Sequence, residues 1–202
     1  MAEHRSDPFV KSARETGFVA RSAYKLLEID EKFHIFQGVH SVLDLGAAPG
    51  GWSQVASSRM GHGVIIAVDL LPMAAQEGVE CLQGDFRDPE IWSKVEQKLK
   101  FQTFDLVISD LSPNISGIRA KDQAESVNLI EDAWESARPL LRKGGDFCIK
   151  VFEGEGISEY RRELRTHFQA VHNFKPKSSR PRSRELYLVA KGHHPHSRES
   201  DG

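Results

Sequence analysis

Short apolar runs rich in β-branched residues alternate along this chain with longer segments of helical period, and that alternation leaves few folds open. Strands are predicted at about His40–Leu45, Gly63–Asp69, Val79–Gln83, Phe104–Asp110, Gly145–Val151, Phe168–Phe174 and Glu185–Ala190. Helices are predicted near Ser22–Phe33, Gly51–Met60, Pro89–Leu99, Gln123–Leu141 and Ile157–His167. Apolar strands separated by helices fit βαβ units, with strands buried on both faces of a largely parallel, doubly wound sheet. Asp88 before Pro89 reads as a helix cap, and Arg138-Pro139 with Lys143-Gly144-Gly145 as the basic last turn and glycine stop of the long helix. The last two strands follow one another with no helix between them, so an antiparallel hairpin is expected across Lys175–Arg184.

At 202 residues the chain has the length of one ordinary domain, expected at 17–192, with a flexible segment at 1–16 and a disordered tail at 193–202. The three histidines in GHHPHSRESDG read as part of that tail, not as a metal site. Apolar runs stay well short of the roughly 18 residues that a membrane span needs, and MAEHRSDPFVKSARETG carries no apolar signal region, so the cytoplasm is the expected compartment. Cys81 and Cys148 both lie in apolar runs, which suits buried reduced thiols; no metal is expected.

The formal charge of −2 conceals an uneven distribution. Residues 40–160 hold 11 basic against 19 acidic side chains, whereas residues 161–202 hold 10 against 4. Between Asn173 and Lys191, six cations (Lys175, Lys177, Arg180, Arg182, Arg184 and Lys191) face the single acid Glu185, so a polyanion has one place to dock. A run of charge alone is more often a solvated loop, so other evidence has to decide for a polyanion.

The segment SVLDLGAAPGGW, Ser41 to Trp52, runs from a strand through a glycine-containing turn into a helix, where Gly46, Gly50 and Gly51 allow close backbone approach and the helix start offers unpaired N–H groups. The spacing departs from GxGxxG, which argues against a dinucleotide and for another nucleoside-bearing cofactor. Asp69 ends the second strand, placed to accept both hydroxyls of an adenosine ribose, and Asp85 follows the third, placed to accept from an adenine amine beside Phe86. Lys150, late in a buried strand, is an odd position for a solvent lysine, and Asp110 at the end of the neighbouring strand can pair with it. Tyr187 is read either as a stacking platform or as core; Phe18, Tyr24 and Phe33 are expected to pin the first helix to the domain.

DLGAAPGGWSQ, VDLLPM, GDFRD, SDLSPNISG, CIKVFEGEG and SSRPRSRELYLVA together resemble the FtsJ/RrmJ family of S-adenosylmethionine-dependent RNA ribose 2′-O-methyltransferases, in order, over about residues 17–192. The resemblance implies an α/β Rossmann-like class I methyltransferase fold, a seven-stranded, mostly parallel doubly wound sheet with a C-terminal antiparallel hairpin. It also implies S-adenosyl-L-methionine as cofactor, held by Gly46, Gly50, Trp52, Asp69, Asp85 and Asp110, and a catalytic tetrad of Lys25, Asp110, Lys150 and Glu185. Arg21, Lys177, Arg180 and Arg182 would contact RNA. The substrate implied is a uridine of 23S rRNA in the 50S ribosomal subunit, modified by a monomer. SDLSPN lacks the Asn/Asp-Pro-Pro-aromatic element of amino-group methyltransferases, which favours oxygen as the target. Whether Lys150 is neutral enough to act as a base or only holds the hydroxyl in line stays open, because Lys25 would lower its pKa while Asp110 and Glu185 would raise it. Three other readings remain: a tRNA anticodon-loop ribose methyltransferase, an RNA-binding ribosome-assembly factor, and a nicotinamide oxidoreductase.

Overall fold

The computed structural model describes residues 17–100, 102–114 and 116–194; the expectations for 1–16 and 195–202 lie outside the described residues. Seven strands form one sheet: β1 (Ser41–Leu45), β2 (Val64–Asp69), β3 (Val79–Gln83), β4 (Phe104–Ser109), β5 (Leu141–Phe152), β6 (Phe168–Phe174) and β7 (Glu185–His193). Five helices connect or precede them: α1 (Ser22–Phe33), α2 (Gly51–Met60), α3 (Pro89–Leu99), α4 (Arg119–Ala137) and α5 (Ile157–His167). The strand order is β3-β2-β1-β4-β5-β7-β6, parallel from β3 to β5, with β7 antiparallel to both β5 and β6. The expected hairpin therefore exists, and its second strand is the one inserted next to β5.

Period-2 alternation in the central strands sorts their side chains onto two faces. Val42, Ile65, Leu106, Ile108, Cys148, Tyr187 and Val189 pack under α1 and α2, against Leu26, Ile29, Trp52 and Val55. Leu43, Ile66, Val107, Phe147, Ile149 and Leu188 pack under α3, α4 and α5, where Trp134 and Tyr160 are fully buried. Phe33 meets Phe174 edge-to-face at 5.6 Å and ties α1 to β6, whereas the Phe18–Tyr24 pair, 5.9 Å apart, is local to the approach to α1.

Several expectations change at the sheet's edges and ends. β3 is an edge strand, so Cys81 is exposed; Cys148, in the centre, is buried. The long helix spans Arg119–Ala137 and stops before Arg138-Pro139, because proline cannot donate to the preceding turn; a single 3₁₀ turn, Arg138–Leu140, follows. Lys143-Gly144-Gly145 is consequently not a helix stop. It lies inside β5, where the register against β4 shifts between Phe104 and Leu106, and where Arg142 Nε pairs with Asp105 Oδ1 at 2.5 Å. β7 continues past residue 192: His193 is 2% exposed, its ring 5.6 Å from Trp134 and 5.4 Å from Phe168, so the ordered chain extends beyond the expected tail boundary. No described helix is long and apolar enough to cross a membrane.

Asp88 caps α3 as read, its carboxylate accepting from Glu90 N at 2.9 Å with Pro89 in the first turn. Replacing Asp88 with Ala is expected to cost about 1 kcal/mol, measured as a lowered urea midpoint with an unchanged slope.

Candidate active site

The parallel register brings the carboxyl ends of five strands to one level. Leu45 lies beside Val68 and Ser109, Asp69 beside Gln83, and Ser109 beside Ile149, so Gly46, Asp69, Gly84, Asp110 and Lys150 emerge side by side. The chain runs outward through β2 and β3 and returns at β4 on the other side of β1, the switch point at which open α/β sheets bind ligands. A cavity of about 930 Å³ opens there, lined among others by Gly46, Ala48, Asp69, Asp85, Asp110 and Lys150. That is within the range of small-molecule sites, roughly 300–1,000 Å³.

Asp69 is oriented by backbone, accepting from Ala48 N at 2.9 Å and from Leu71 N at 2.8 Å. Asp85 accepts two hydrogen bonds from the Arg87 guanidinium and a third from Arg87 N, which together with the guanidinium charge hold its carboxyl below the usual range. The glycines, by contrast, are required by protein packing. A Cβ on Gly46 would sit 2.6 Å from Leu111 Cδ2, and one on Gly50 would collide with the Gln76 amide, which donates to Gly50 O at 3.2 Å. Gly50 is buried and absent from the cavity wall. The Trp52 side chain also turns away: its indole donates to Ser22 O at 2.9 Å and packs 5.5 Å from the Tyr187 ring. That hydrogen bond ties Trp52 to Ser22, which lines the cavity.

The four residues of the expected tetrad form two adjacent ion pairs. Lys150 Nζ lies 2.7 Å from Asp110 O, 2.5 Å from Ser112 Oγ and 3.2 Å from Asp110 Oδ1, and is 5% exposed. Lys25 Nζ meets Glu185 Oε1 at 2.5 Å. Tyr187 joins the pairs: opposite Lys150 in the β5–β7 ladder, it donates its hydroxyl to Asp110 Oδ1 at 2.7 Å, and Lys25 lies 5.9 Å from its ring centroid. Burial, with the neighbouring Asp110 and Glu185 charges, pushes the Tyr187 phenol well up, so it remains a donor. It packs in the core, as one of the two readings had it, and from there orients Asp110. Burial alone would raise Glu185, but the Lys25 and Ser179 hydrogen bonds and the Lys150 charge outweigh it and hold the carboxyl below its ordinary value.

Of the expected RNA contacts, Lys177, Arg180 and Arg182 are exposed, and Arg21 is half-buried with Nη2 donating to Ser178 O at 2.7 Å, which ties it to the loop that carries them. Among the described residues no group of His, Cys, Asp and Glu side chains is arranged to hold a metal ion.

Two participants escaped the sequence reading. Ser112 is a second side-chain acceptor for Lys150. Asp44, one residue before the end of β1, is fully buried, takes a 2.7 Å hydrogen bond from Ser53 Oγ, and leaves Oδ1 unpartnered. An acid within the apolar run VLDL was the available signal.

The match over residues 18–193 is to the FtsJ-like methyltransferases. The chain belongs to that family. The FtsJ-like chain is 49% identical over 195 residues to ribosomal RNA large subunit methyltransferase E of Coxiella burnetii (strain Dugway 5J108-111), covering 94% of this chain and 92% of that protein. It is 46% identical over 191 residues to the protein of the same name from Stutzerimonas stutzeri (strain A1501), covering 94% and 93%. Among solved structures it is similar to a ribosomal RNA methyltransferase from Plasmodium falciparum, with TM-score 0.80 and 28% identity over 87% of this chain and 98% of that one.

Burial pushes Asp44 up to about 7, with the Asp110 and Asp69 charges adding and the Ser53 hydrogen bond opposing. A raised folded-state value means that the native protein holds a proton which the unfolded chain releases above about pH 4, so this contribution is present at low pH and is lost as pH rises toward 7. Asp44→Asn should remove that dependence: relative to wild type, the variant gains stability between pH 5 and pH 8, read by urea unfolding at each pH.

Proposed function

We propose that this FtsJ-like methyltransferase, as a monomer, transfers the methyl group of S-adenosylmethionine to a ribose 2′-hydroxyl of large-subunit rRNA, a uridine of 23S rRNA within the 50S particle. The observation that carries the reading is the pair of buried ion pairs, Lys150–Asp110 and Lys25–Glu185, of which the first lies on the wall of a cavity that also carries the carboxylates of Asp69 and Asp85. The names of the bacterial relatives supply the large-subunit RNA.

The donor set fits the cofactor. Asp69 would hold the ribose hydroxyls and Asp85 the adenine amine beside Phe86. When bound, S-adenosylmethionine supplies an electrophilic methyl group. The protein's task is then to hold a weak nucleophile in line.

Lys150 does this as a donor. Asp110 O, Asp110 Oδ1 and Ser112 Oγ surround its Nζ and fix it on the cavity wall, and a 2′-oxygen would take the place of one of these partners. Asp110, itself oriented by Tyr187, aims the amine, and Lys150 donates to the 2′-oxygen and stabilises negative charge as it develops, the hydroxyl proton passing to water as the methyl is transferred. Lys25 and Glu185 close the site on the β7 side. The exposed Lys177, Arg180 and Arg182 would grip phosphates and set the register of the RNA.

Labelled methyl transfer to 50S particles and to tRNA, with mapping of the modified ribose, tests the substrate; transfer to tRNA alone overturns the large-subunit reading. Lys150→Ala should lose roughly 10²–10³-fold in single-turnover rate while S-adenosylmethionine affinity, measured by calorimetry, stays. Lys150→Arg should recover little, because a guanidinium has a different shape. Replacing Lys177, Arg180 and Arg182 together should weaken RNA binding and flatten log K against log salt by up to about 2 for single-stranded contacts, with cofactor binding unchanged.

A further inference from the structure

The segment between β6 and β7 carries the basic side chains, yet it has no regular structure to hold it in place. What holds it comes from one face of α1, about 150 residues earlier in the chain. Glu28 Oε2 accepts from Lys177 N at 2.6 Å and Oε1 accepts from Ser178 N at 2.9 Å, so one carboxylate takes two successive backbone donors. Arg21, seven residues before Glu28 on the same helical face, grips the next carbonyl, Ser178 O. Lys25, between them, holds Glu185 at the loop's far end, and Ser179 Oγ donates to the same carboxylate oxygen at 2.9 Å.

The grip also sorts the loop's side chains. Ser178 and Ser179 are buried at 1% and 5% exposure, while Lys177, Arg180 and Arg182 face solvent. A loop gripped by its backbone displays its cations from fixed positions. Released, the same cations would sample many, and each phosphate contact would carry the entropy of ordering them.

We propose that Glu28 is a positioning residue for the RNA substrate: by binding the Lys177 and Ser178 amides it sets the row of exposed cations and, through Ser179, the place of Glu185 beside Lys25. This rests on the RNA reading given above for what the cations meet, but the anchoring itself is independent of the substrate. Gln at position 28 keeps the side chain's size and one acceptor, and turns an N–H₂ group toward a backbone donor, so one of the two bonds is lost.

The experiment uses the full chain and its Glu28→Gln variant. Trypsin can cut after Lys177, Arg182 and Arg184, whereas Lys175 and Arg180 each precede a proline. Cleavage at those three sites should be about tenfold faster in Glu28→Gln. The KM for large-subunit particles should rise about tenfold, while the KM for S-adenosylmethionine stays within twofold, a split that a general loss of folding would not produce. In the wild type, native-state hydrogen exchange should show slowed Lys177 and Ser178 amides, a readout that stands even if the variant fails to fold. Unprotected amides, or a folded variant with wild-type cleavage and wild-type KM for the particle, overturn the proposal. If the wild type methylates no RNA, the substrate reading fails while cleavage and exchange still decide whether Glu28 anchors the loop.

Discussion

The placement of β7 antiparallel beside β5 is the constraint on which the rest of the site depends. Parallel strands alone align the carboxyl ends of β1 to β5 and give a cofactor-sized cavity with Asp69, Asp85, Asp110 and Lys150 on its wall. Only a strand running the opposite way can bring its own beginning to that same edge. β7 starts there, so Glu185 lies opposite Phe152 and Tyr187 opposite Lys150 in the ladder. The second ion pair and the tyrosine that orients Asp110 both follow from that register, and a slip of one residue would turn Tyr187 to the other face.

Charge in this site is managed by pairing. Two buried lysines, each with a carboxylate partner, cost far less than either charge alone, and the network is completed by hydroxyls from Ser112, Ser179 and Tyr187. Asp44 is the exception. It lies behind Asp69 and Asp110 with one oxygen unpartnered, and the combined burial and repulsion leave it the acid that protonates most readily. The cavity wall thus carries acids and bases side by side, Asp69, Asp85, Asp110 and Glu125 with Arg87, Lys121 and Lys150, while the loop before β7 is basic toward a polyanion.

Much of this was legible in residue order. The strand runs gave the central sheet, Asp88-Pro89 gave a helix start, and the placement of Asp110 and Lys150 late in neighbouring apolar strands pointed to a pair before any coordinates. The errors share a cause, which is that each depended on something distant. Cys81 looks buried in its own apolar run but lies on an edge strand. Lys143-Gly144-Gly145 looks like a helix stop, but Pro139 had already ended the helix, and the glycines serve a bulge against Asp105.

Periodicity, capping and turn chemistry are energies between near neighbours, so the order of residues was enough for the α/β class, the alternation of elements and the strand ends at which acids and lysines collect. Which strands adjoin, and which side chain meets which across 77 residues for Tyr187 and Asp110 or about 150 for Glu28 and the basic loop, depends on sheet order and on the packing of α1. Those contacts are made only once the whole sheet has closed its two cores, because no local preference distinguishes a glutamate that will hold a loop from one that will face water.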